Sequence, residues 1–326
     1  MRAVVFDRPG DESGLHLGEV PTPAPGPRQI RLRVAATAVN RADLLQRRGS
    51  YPPPPGESDI LGLECAGTVD AVGPGATRFA PGDRVMALLA GGGYAEAVVC
   101  DERVALPVPA ALGLEEAAAV PEVFLTVWLT VFSLGAARAG ETLLVHGGGS
   151  GVGTAAIQLG TARGLKVLCT AGTDAKVQRC REAGAAHACN YRTEDFGARV
   201  AAVTEGRGVD LVLDSIGGPY LEANLRSLAP GGRLVLIGVM GGKSAPLDLG
   251  LVVRKRLQVI GSTLRSRPLE EKAALCADFE LHALPLFASG RCRPVVDRVL
   301  PLAEVAAAHR VVAASEHFGK VVLRVS

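Results

Sequence analysis

Hydrophobic and polar positions follow different patterns in the two parts of this chain. From Met1 to about Pro109, short β-like runs are broken by glycine and proline, and this spacing predicts a small, mostly antiparallel β domain with long loops. The runs are RAVVF, QIRLRVAATAV, CAGTVDAVG, DRVMALL and YAEAVVC. Proline removes backbone donors and disfavours helix in the residue before it, so we expect the segment from Arg47 to Asp59 to form a fixed surface loop.

Beyond about Pro121 the pattern changes to apolar strands that alternate with helix-forming segments. Repeated βα units with near-continuous apolar strands indicate a parallel sheet covered on both faces, as in a doubly wound Rossmann domain. A helical stretch is predicted from Pro268 to Ser289, and the strand-like segments PVVDRVL and GKVVLRV that follow could pair with the first domain. We therefore predict an α/β chain in which residues 1–122 and 263–326 form one domain and residues 123–262 form the other.

A glycine-rich junction, LLVHGGGSGVGTAAIQ from Leu143 to Gln158, joins a predicted strand to a predicted helix. Glycine lets the backbone approach a ligand, and the first N–H groups of a helix lack partners within it, so such a junction attracts phosphate. Gly148 and Gly153 have the spacing of a dinucleotide-binding G-x-G-x-x-G motif, but Ser150 takes the middle position. The alternative is a glycine turn that binds nothing. A lipase loop and a P-loop are excluded because HGGG and GGKS lack the other residues of those motifs.

The end of the second Rossmann strand, Cys169 to Thr173, carries no carboxylate. In an NAD-specific Rossmann domain, an Asp or Glu near this point holds the ribose hydroxyls. Lys176 and Tyr191 could instead bind a 2′-phosphate, so the sequence favours NADPH. Asp174 opposes this choice unless its side chain points away. The alternatives are that Lys176 is a solvated helix residue and that Tyr191 is a strand-edge residue.

Composition narrows the range of partners. The 326 residues carry a formal net charge of +2, and aromatic residues make up only 4%. These values argue against nucleic acid or a membrane surface as the main partner, and small-molecule chemistry is the expectation. The seven cysteines are odd in number and never form C-x-x-C, which predicts reduced thiols in a cytoplasmic protein. The apolar segment from Val123 to Ala137 is shorter than the ~20 residues of a membrane span, so we predict a buried helix there.

The glycine junction, together with NRADL, LGLECAG, NYRTEDF and LRSR, resembles the zinc-independent medium-chain dehydrogenases/reductases of the quinone oxidoreductase group. The likeness extends over essentially the whole chain and is greatest for the tumour-suppressor-inducible subgroup, which shares serine in the middle of the junction. It implies a GroES-like, β-rich catalytic domain, a Rossmann domain, a cofactor in the cleft between them, and a homodimer. In zinc-using relatives a Cys and a G-H-E motif hold the metal. Asn40 and Gly62–Glu64 take those places here, so no metal is expected, because Glu64 alone cannot supply three ligands.

The resemblance also implies which residues form the site. It puts Asn40, Asp43 and Tyr51 beside the nicotinamide and Thr126 on its other side, and we expect Asn40 and Tyr51 to donate hydrogen bonds to the acceptor oxygen. The alternatives are a helix cap for Asp43 and a loop anchor for Tyr51. The arginines of LRSR, Arg265 among them, are interpreted as solvated. The residues implied to bind NADPH are Ser150, Gly151 and Val152 at the pyrophosphate, Gly172, Lys176 and Tyr191 at the adenosine phosphate, and Gly238, Met240 and Leu264 at the nicotinamide.

The absence of a metal limits the acceptors that the protein can reduce. Without a Lewis acid, hydride transfer needs an acceptor that spreads the incoming charge, such as a quinone or a conjugated enone. We therefore predict an NADPH-dependent quinone oxidoreductase. Two alternatives stay open: an enoyl reductase that acts on an acyl thioester, and a non-catalytic protein that binds NADPH or RNA. The near-neutral charge argues against the RNA role.

Overall fold

The computed structural model describes residues 1–325, and the chain divides into two compact units. One unit comprises residues 1–125 and the chain from residue 264 onward, and the other comprises residues 126–263. In chain order, the strands are β1 Arg2–Val5, β2 His16–Glu19, β3 Gln29–Ala38, β4 Glu64–Val72, β5 Arg84–Leu88, β6 Ala97–Asp101, β7 Ala105–Pro107, β8 Thr142–Val145, β9 Lys166–Ala171, β10 His187–Asn190, β11 Val209–Asp214, β12 Leu228–Leu236, β13 Gln258–Gly261, β14 Val296–Pro301 and β15 Lys320–Arg324. The helices are α1 Arg41–Arg47, α2 Leu114–Ala117, α3 Pro121–Val127, α4 Gly151–Ala162, α5 Asp174–Glu182, α6 Phe196–Val203, α7 Leu221–Ser227, α8 Leu249–Lys255, α9 Leu269–His282, α10 Leu284–Ala288 and α11 Val305–Ala313.

The first unit is built on a mostly antiparallel sheet. Its strand order is β14-β15-β3-β4-β5-β7, with β6 paired to β3, and β1 and β2 form a separate ladder. β15 pairs antiparallel with β3, and β14 runs parallel to β15. The C-terminal strands therefore pair with the first domain, as the sequence suggested, and the five strands predicted before residue 109 are all present.

The second unit is a six-stranded sheet with the order β10-β9-β8-β11-β12-β13, in which every pair is parallel. From β8 the chain winds outward through β9 and β10, and it then returns to β11 and winds the other way. This is the doubly wound Rossmann order, in which ligands bind beyond the carboxyl ends of the strands where the winding reverses. The predicted fold class is confirmed. The loops that follow β8 and β11 lie at this reversal.

Two of the predicted helices are interrupted in the structure. The buried segment from Val123 to Ala137 forms the end of α3 and then a π-helical stretch over Trp128–Leu134. The helix predicted from Pro268 to Ser289 divides into α9 and α10 at Ala283. Pro285 lies just beyond this break, and its ring nitrogen has no hydrogen to donate to the preceding turn. None of the helices within residues 1–325 is long and apolar enough to cross a membrane.

Each unit has its own hydrophobic core. In the first unit, Leu44 of α1, Val312 of α11 and Leu323 of β15 belong to one buried cluster. In the second, Leu144 of β8 and Val212 of β11 are buried with side chains of α6 and α7. These cores fix the elements whose ends carry the polar residues of the candidate site.

Candidate active site

The loop after β8 has a shape that only glycine permits. Gly147 has a φ of 73°, a conformation that side-chain-bearing residues rarely adopt. A Cβ atom at Gly148 would lie 2.7 Å from Cys169 Sγ, and one at Gly153 would lie 2.2 Å from the carbonyl oxygen of Gly147. The glycines therefore bring the loop close to β9 and to the start of α4. In this arrangement the backbone can approach a pyrophosphate closely.

Ser150 caps α4, which explains why serine is compatible with the middle position of the motif. Its Oγ accepts a hydrogen bond from Gly153 N at 2.9 Å, and the helix begins at Gly151 rather than at the predicted Thr154. The N–H groups of Gly151 and Val152 donate no hydrogen bond to the part of the chain that the structure describes. These two donors, at the positive end of a 12-residue helix, suit a phosphate group.

Buried hydrogen bonds connect this loop with the end of β11. Gly147 N donates to Thr170 Oγ1 at 3.3 Å, and Thr170 Oγ1 lies 3.2 Å from His146 Nδ1. His146 Nε2 lies 2.7 Å from Asn224 Oδ1, and Asn224 Nδ2 donates to Asp214 Oδ2 at 3.1 Å. Because Asn224 Oδ1 can only accept, the proton of His146 is on Nε2. Burial lowers the pKa of His146 to about 4, so the ring is neutral at pH 7.

The carboxylate of Asp214 holds the loop after β11. It accepts hydrogen bonds from the backbone N–H groups of Ile216 at 2.6 Å and Gly217 at 3.2 Å. The network therefore fixes both loops at the winding reversal. In the sequence His146 stood out only as part of a lipase-like HGGG run, and no local signal pointed to its partners.

The residues predicted at the nicotinamide lie in two different units. Gly238 and Met240 follow β12, and Met240 N donates to Ser215 O at 3.1 Å, so this loop contacts the loop after β11. A Cβ atom at Gly238 would lie 3.2 Å from the same oxygen of Ser215. Leu264 belongs to the first unit and is buried there.

The residues predicted at the adenosine phosphate follow β9 and β10. A Cβ atom at Gly172 would lie 2.7 Å from Tyr191 Oη, so the tyrosine lies directly against the glycine. Lys176 is half-buried in the first turn of α5. Asp174 Oδ1 accepts a hydrogen bond from Asn190 Nδ2 at 2.8 Å, which holds this carboxylate at the end of β10. The structure thus brings Gly172, Lys176 and Tyr191 to the carboxyl edge of the sheet, together with Asp174.

In the first unit, a buried ion pair lies at the start of β4. Lys320 Nζ lies 2.7 Å from Glu64 Oε1, and both side chains are buried. The same ammonium donates to Asn40 Oδ1 at 2.6 Å and to Val39 O at 3.2 Å. The Glu64 carboxylate also accepts from Asn40 Nδ2 at 2.8 Å and from Glu122 N at 2.8 Å. All three hydrogens of the ammonium and both oxygens of the carboxylate are therefore in use.

These donors do not fit a zinc ion. The resemblance implies that Asn40 and Glu64 stand where zinc-using relatives hold the metal, and the Lys320 ammonium bonds to oxygens of both. A divalent cation there would be repelled by the ammonium, and Asn40 offers a neutral amide oxygen in place of a thiolate. Within residues 1–325, no three His, Cys, Asp or Glu side chains are grouped so that they could hold a metal ion.

Asp43 caps α1 and connects it to the glycine segment before β4. Its carboxylate accepts hydrogen bonds from Asn40 N at 2.7 Å, from Gly62 N at 3.1 Å and from Tyr94 Oη at 3.1 Å. Burial raises the pKa of Asp43 to about 6, although these hydrogen bonds and Lys320 act in the opposite direction. The structure therefore gives Asp43 a cap role, and its place beside a nicotinamide stays a prediction.

Two other predicted residues already make hydrogen bonds within the chain. Both amide hydrogens of Asn40 are donated, one to Ala38 O at 3.2 Å and one to Glu64 Oε1 at 2.8 Å. A hydrogen bond from Asn40 to an acceptor would have to replace one of them. The carbonyl oxygen of Thr126 accepts from Thr130 Oγ1 at 2.6 Å. Roles for Asn40 and Thr126 at the nicotinamide stay predictions.

Arg265 is buried, so its interpretation as a solvated residue was wrong. Its guanidinium donates to Ala90 O at 2.7 Å, to Gln46 Oε1 at 2.7 Å and to Tyr51 O at 3.2 Å. It also lies over the Tyr51 ring, 5.3 Å from the centroid. Arg265 therefore anchors the loop that carries Tyr51. Tyr51 is half-buried, and burial raises the pKa of its phenol.

Glu122 is an acidic residue next to Glu64 that the sequence did not single out. It lies in the first turn of α3, where an acidic residue is common and so gives no functional signal. The residue is half-buried, and its Oε2 is enclosed without a hydrogen-bond partner in residues 1–325. Burial raises the pKa of Glu122 to about 8, and the Glu64 carboxylate acts in the same direction.

Comparisons with known proteins identify the family. The model of the alcohol dehydrogenase GroES-like domain matches residues 26–110, and the model of the zinc-binding dehydrogenases matches residues 151–278. A solved NAD-dependent alcohol dehydrogenase is 36% identical, with a TM-score of 0.89, and the match covers 100% of both chains. A solved mycobacterial quinone oxidoreductase is 30% identical, with a TM-score of 0.86 and the same coverage. The chain belongs to the medium-chain dehydrogenase/reductase superfamily of oxidoreductases, and the predicted GroES-like domain is confirmed.

The chain is also similar to part of a much larger protein and to a solved enoyl reductase. The chain is 37% identical over 325 residues to phthioceranic/hydroxyphthioceranic acid synthase of Mycobacterium bovis (strain BCG / Pasteur 1173P2). That match covers 97% of this chain, but the chain spans only about 15% of the length of that protein. The solved CurK enoyl reductase is 27% identical, with a TM-score of 0.87, and the match covers 99% of this chain and 98% of that one.

Proposed function

We propose that the protein is an NADPH-dependent quinone oxidoreductase that works without a metal ion. The observation that carries the proposal is that the Lys320 ammonium bonds to oxygens of both Glu64 and Asn40. The resemblance implies that these two residues stand where zinc-using relatives hold their Lewis acid. The acceptor itself must then take up the charge of the hydride. Quinones and conjugated enones do so by spreading that charge over oxygen and carbon. The full-length similarity to a quinone oxidoreductase supports the same acceptor class.

Bound NADPH would supply the hydride, and several residues of the second unit suit it. The N–H groups of Gly151 and Val152 would hold the pyrophosphate, beside a loop in which a Cβ atom at Gly148 or Gly153 would clash with its neighbours. Lys176 and Tyr191 would bind the 2′-phosphate beside Gly172. The similarity to an NAD-dependent alcohol dehydrogenase makes NADH the competing cofactor, so the preference has to be measured.

In the first unit, Tyr51 is the residue proposed to donate a hydrogen bond to the acceptor oxygen. Its raised pKa keeps the phenol protonated, so it can act as a donor at neutral pH. Arg265 fixes the loop that carries it through three hydrogen bonds to the chain. Asp43 accepts a hydrogen bond from the backbone N–H of Asn40, and Lys320 donates one to its side-chain oxygen, so both ends of Asn40 are fixed. Burial of this polar cluster makes it a rigid frame for the acceptor.

An enoyl thioester is the second candidate acceptor. The observation that favours it is the 97% coverage of this chain by a match within a large acid synthase, together with the similarity to CurK enoyl reductase. The chemistry is closely related, because an enoyl thioester also spreads the incoming charge between carbon and oxygen.

We also propose a homodimer in the cytoplasm. In the part of the chain that the structure describes, β13 pairs only with β12, so its other edge is open. The exposed apolar side chains of Leu249, Val253 and Val259 lie on α8 and β13. A second copy could pair along this edge and cover them. The seven cysteines are free, buried thiols, which suits a reducing compartment.

The acceptor is tested by comparing kcat/KM for a para-quinone and for an enoyl thioester, with NADPH as donor. The proposal expects the quinone to be the better substrate, and a higher value for the thioester would move the function to enoyl reduction. Tyr51→Phe should lower kcat by roughly 10- to 100-fold, because one hydrogen bond to the developing charge is lost. Glu115→Gln, at an exposed ion pair with Arg324 in the same unit, is the control and should leave kcat unchanged.

A further inference from the structure

The Glu122 carboxyl group lies beside a buried ion pair but takes no part in it. The Lys320 ammonium already donates to Glu64, Asn40 and Val39. Glu64 receives a backbone hydrogen bond from Glu122 itself at 2.8 Å, so the two carboxyl groups are close neighbours. The Lys320 ammonium therefore uses its three hydrogens on Glu64, Asn40 and Val39, and none is left for Glu122.

Other charged groups surround Glu122, but none within residues 1–325 forms a hydrogen bond with its Oε2. Asp43 of α1 and Glu64 of β4 are acids and favour its protonated form, whereas the cations Lys320 of β15, Arg265 before α9 and Lys272 of α9 favour its ionised form. Arg265 acts only from a distance, because its hydrogen bonds go to Ala90, Gln46 and Tyr51. An unpaired buried carboxylate costs several kcal/mol, and a carboxyl group in that position takes up a proton instead.

Glu122 also interacts electrostatically with the residue proposed to contact the acceptor. Burial raises the pKa of the Tyr51 phenol, a negative charge on Glu122 acts in the same direction, and Arg265 donates a hydrogen bond to Tyr51 O. Glu122 is only half-buried, so it retains exposed surface beside its enclosed Oε2. The Glu122 carboxyl group is thus electrostatically coupled to the proposed hydrogen-bond donor.

We propose that Glu122 is the general acid of the reaction, a role that rests on the proposed reduction of a conjugated acceptor. A hydride transfers one hydrogen nucleus and two electrons to the acceptor. The reduced acceptor then needs one more proton. The O–H bond of the Glu122 carboxyl group breaks, and a new O–H bond forms on the reduced quinone, or a new C–H bond on the α-carbon of an enoyl thioester. Glu122 is left as a carboxylate and regains its proton from water before the next turnover.

The first arm of the test is infrared difference spectroscopy of the intact protein, which does not depend on any substrate. The wild type should show a protonated-carboxyl C=O band at pH 7 that disappears with a midpoint near pH 8. The band should be absent in Glu122→Gln, which keeps the size and neutrality of the acid but has no acidic proton. If the wild type shows no such band at pH 7, the inference is overturned whatever the acceptor is.

The second arm is the pH dependence of turnover. Glu122→Gln should lower kcat by roughly 100-fold or more and lose the wild-type decline above pH 8, while the Kd for NADPH stays unchanged. Glu122→Asp, which keeps an acid one methylene shorter, should recover part of the turnover, and it replaces the Gln variant if that variant fails to fold. Glu115→Gln, at an exposed ion pair with Arg324 in the same unit, is the control and should behave as the wild type.

The outcomes separate this inference from the proposed function. Full turnover of Glu122→Gln with a wild-type pH profile would overturn the general-acid role and leave the proposed function standing. A wild-type protein that shows the carboxyl band but reduces neither a quinone nor an enoyl thioester would overturn the proposed function, and the role of Glu122 would fall with it.

Discussion

Lys320 Nζ lies 2.7 Å from Glu64 Oε1, and the two residues are 256 positions apart in the sequence. Removing only the lysine leaves a buried carboxylate without a counter-charge, so Lys320→Met should lower the free energy of unfolding by about 3–5 kcal/mol. Adding Glu64→Gln should restore part of this loss, because the amide needs no cation. Urea unfolding of both single variants and the double variant measures the coupling. The exposed Lys243→Met is the control, and simple additivity of the two changes would contradict the ion pair.

The glycine loop gives a prediction about cofactor affinity. Gly148→Ala would bring a Cβ atom within 2.7 Å of Cys169 Sγ and 2.9 Å of Cys180 Sγ, so the loop must move. We expect a loss of about 1–3 kcal/mol in stability and a weaker Kd for NADPH, measured by nicotinamide fluorescence. Gly14→Ala is the control, since that glycine has open space around it and an ordinary φ. An unchanged Kd in Gly148→Ala would mean that the loop does not bind the cofactor.

Lys176 is predicted to determine the preference for NADPH over NADH. A charge-assisted hydrogen bond to the 2′-phosphate contributes about 1.5–3 kcal/mol, so Lys176→Ala should raise the KM for NADPH by roughly 10- to 100-fold and leave that for NADH unchanged. Lys166→Ala, at the opposite end of β9, is the matched control. Equal losses with both cofactors would show that Lys176 does not contact the phosphate.

The lowered pKa of His146 predicts that the protein loses stability in acid. Burial lowers the pKa of His146 from 6.5 to about 4. Between these two values the histidine is protonated in the unfolded chain but stays neutral in the folded chain. The stability that this histidine contributes is therefore complete above pH 6.5 and falls progressively as the pH drops toward 4. The free energy of unfolding of the wild type should decrease over this range, and that of His146→Leu should decrease less steeply. Parallel curves for the two proteins would rule out this account.

The open edge of β13 predicts the assembly state. Val253 on α8 is 74% exposed, and a glutamate there would place like charges opposite each other in a symmetric interface. Val253→Glu should convert a dimer into a monomer in sedimentation velocity. Leu281→Glu, at a residue 69% exposed on α9 of the other unit, should leave the dimer intact. Loss of the dimer in Leu281→Glu alone would move the interface to the first unit.

The sequence predicted those features that depend on local pattern. The alternation of strands and helices gave the parallel sheet, and the glycine spacing located the loop after β8, because both follow from neighbouring residues. Arg265 was misinterpreted because its partner Gln46 lies 219 positions away. Glu122 was missed for a similar reason, since its environment is set by Glu64 and Lys320 on distant strands. The boundaries of α4 also shifted, because the Ser150 cap starts the helix three residues before the predicted position.

The most direct test of the central claim is the rate of NADPH oxidation by the wild-type protein with a para-quinone, measured with a metal chelator present and repeated with NADH. The account predicts robust turnover that the chelator does not change and a clear preference for NADPH, because the proposal has no metal beside Glu64 and Asn40 and has Lys176 bind the 2′-phosphate. Activity that the chelator abolishes, or quinone turnover with NADH alone, would contradict it.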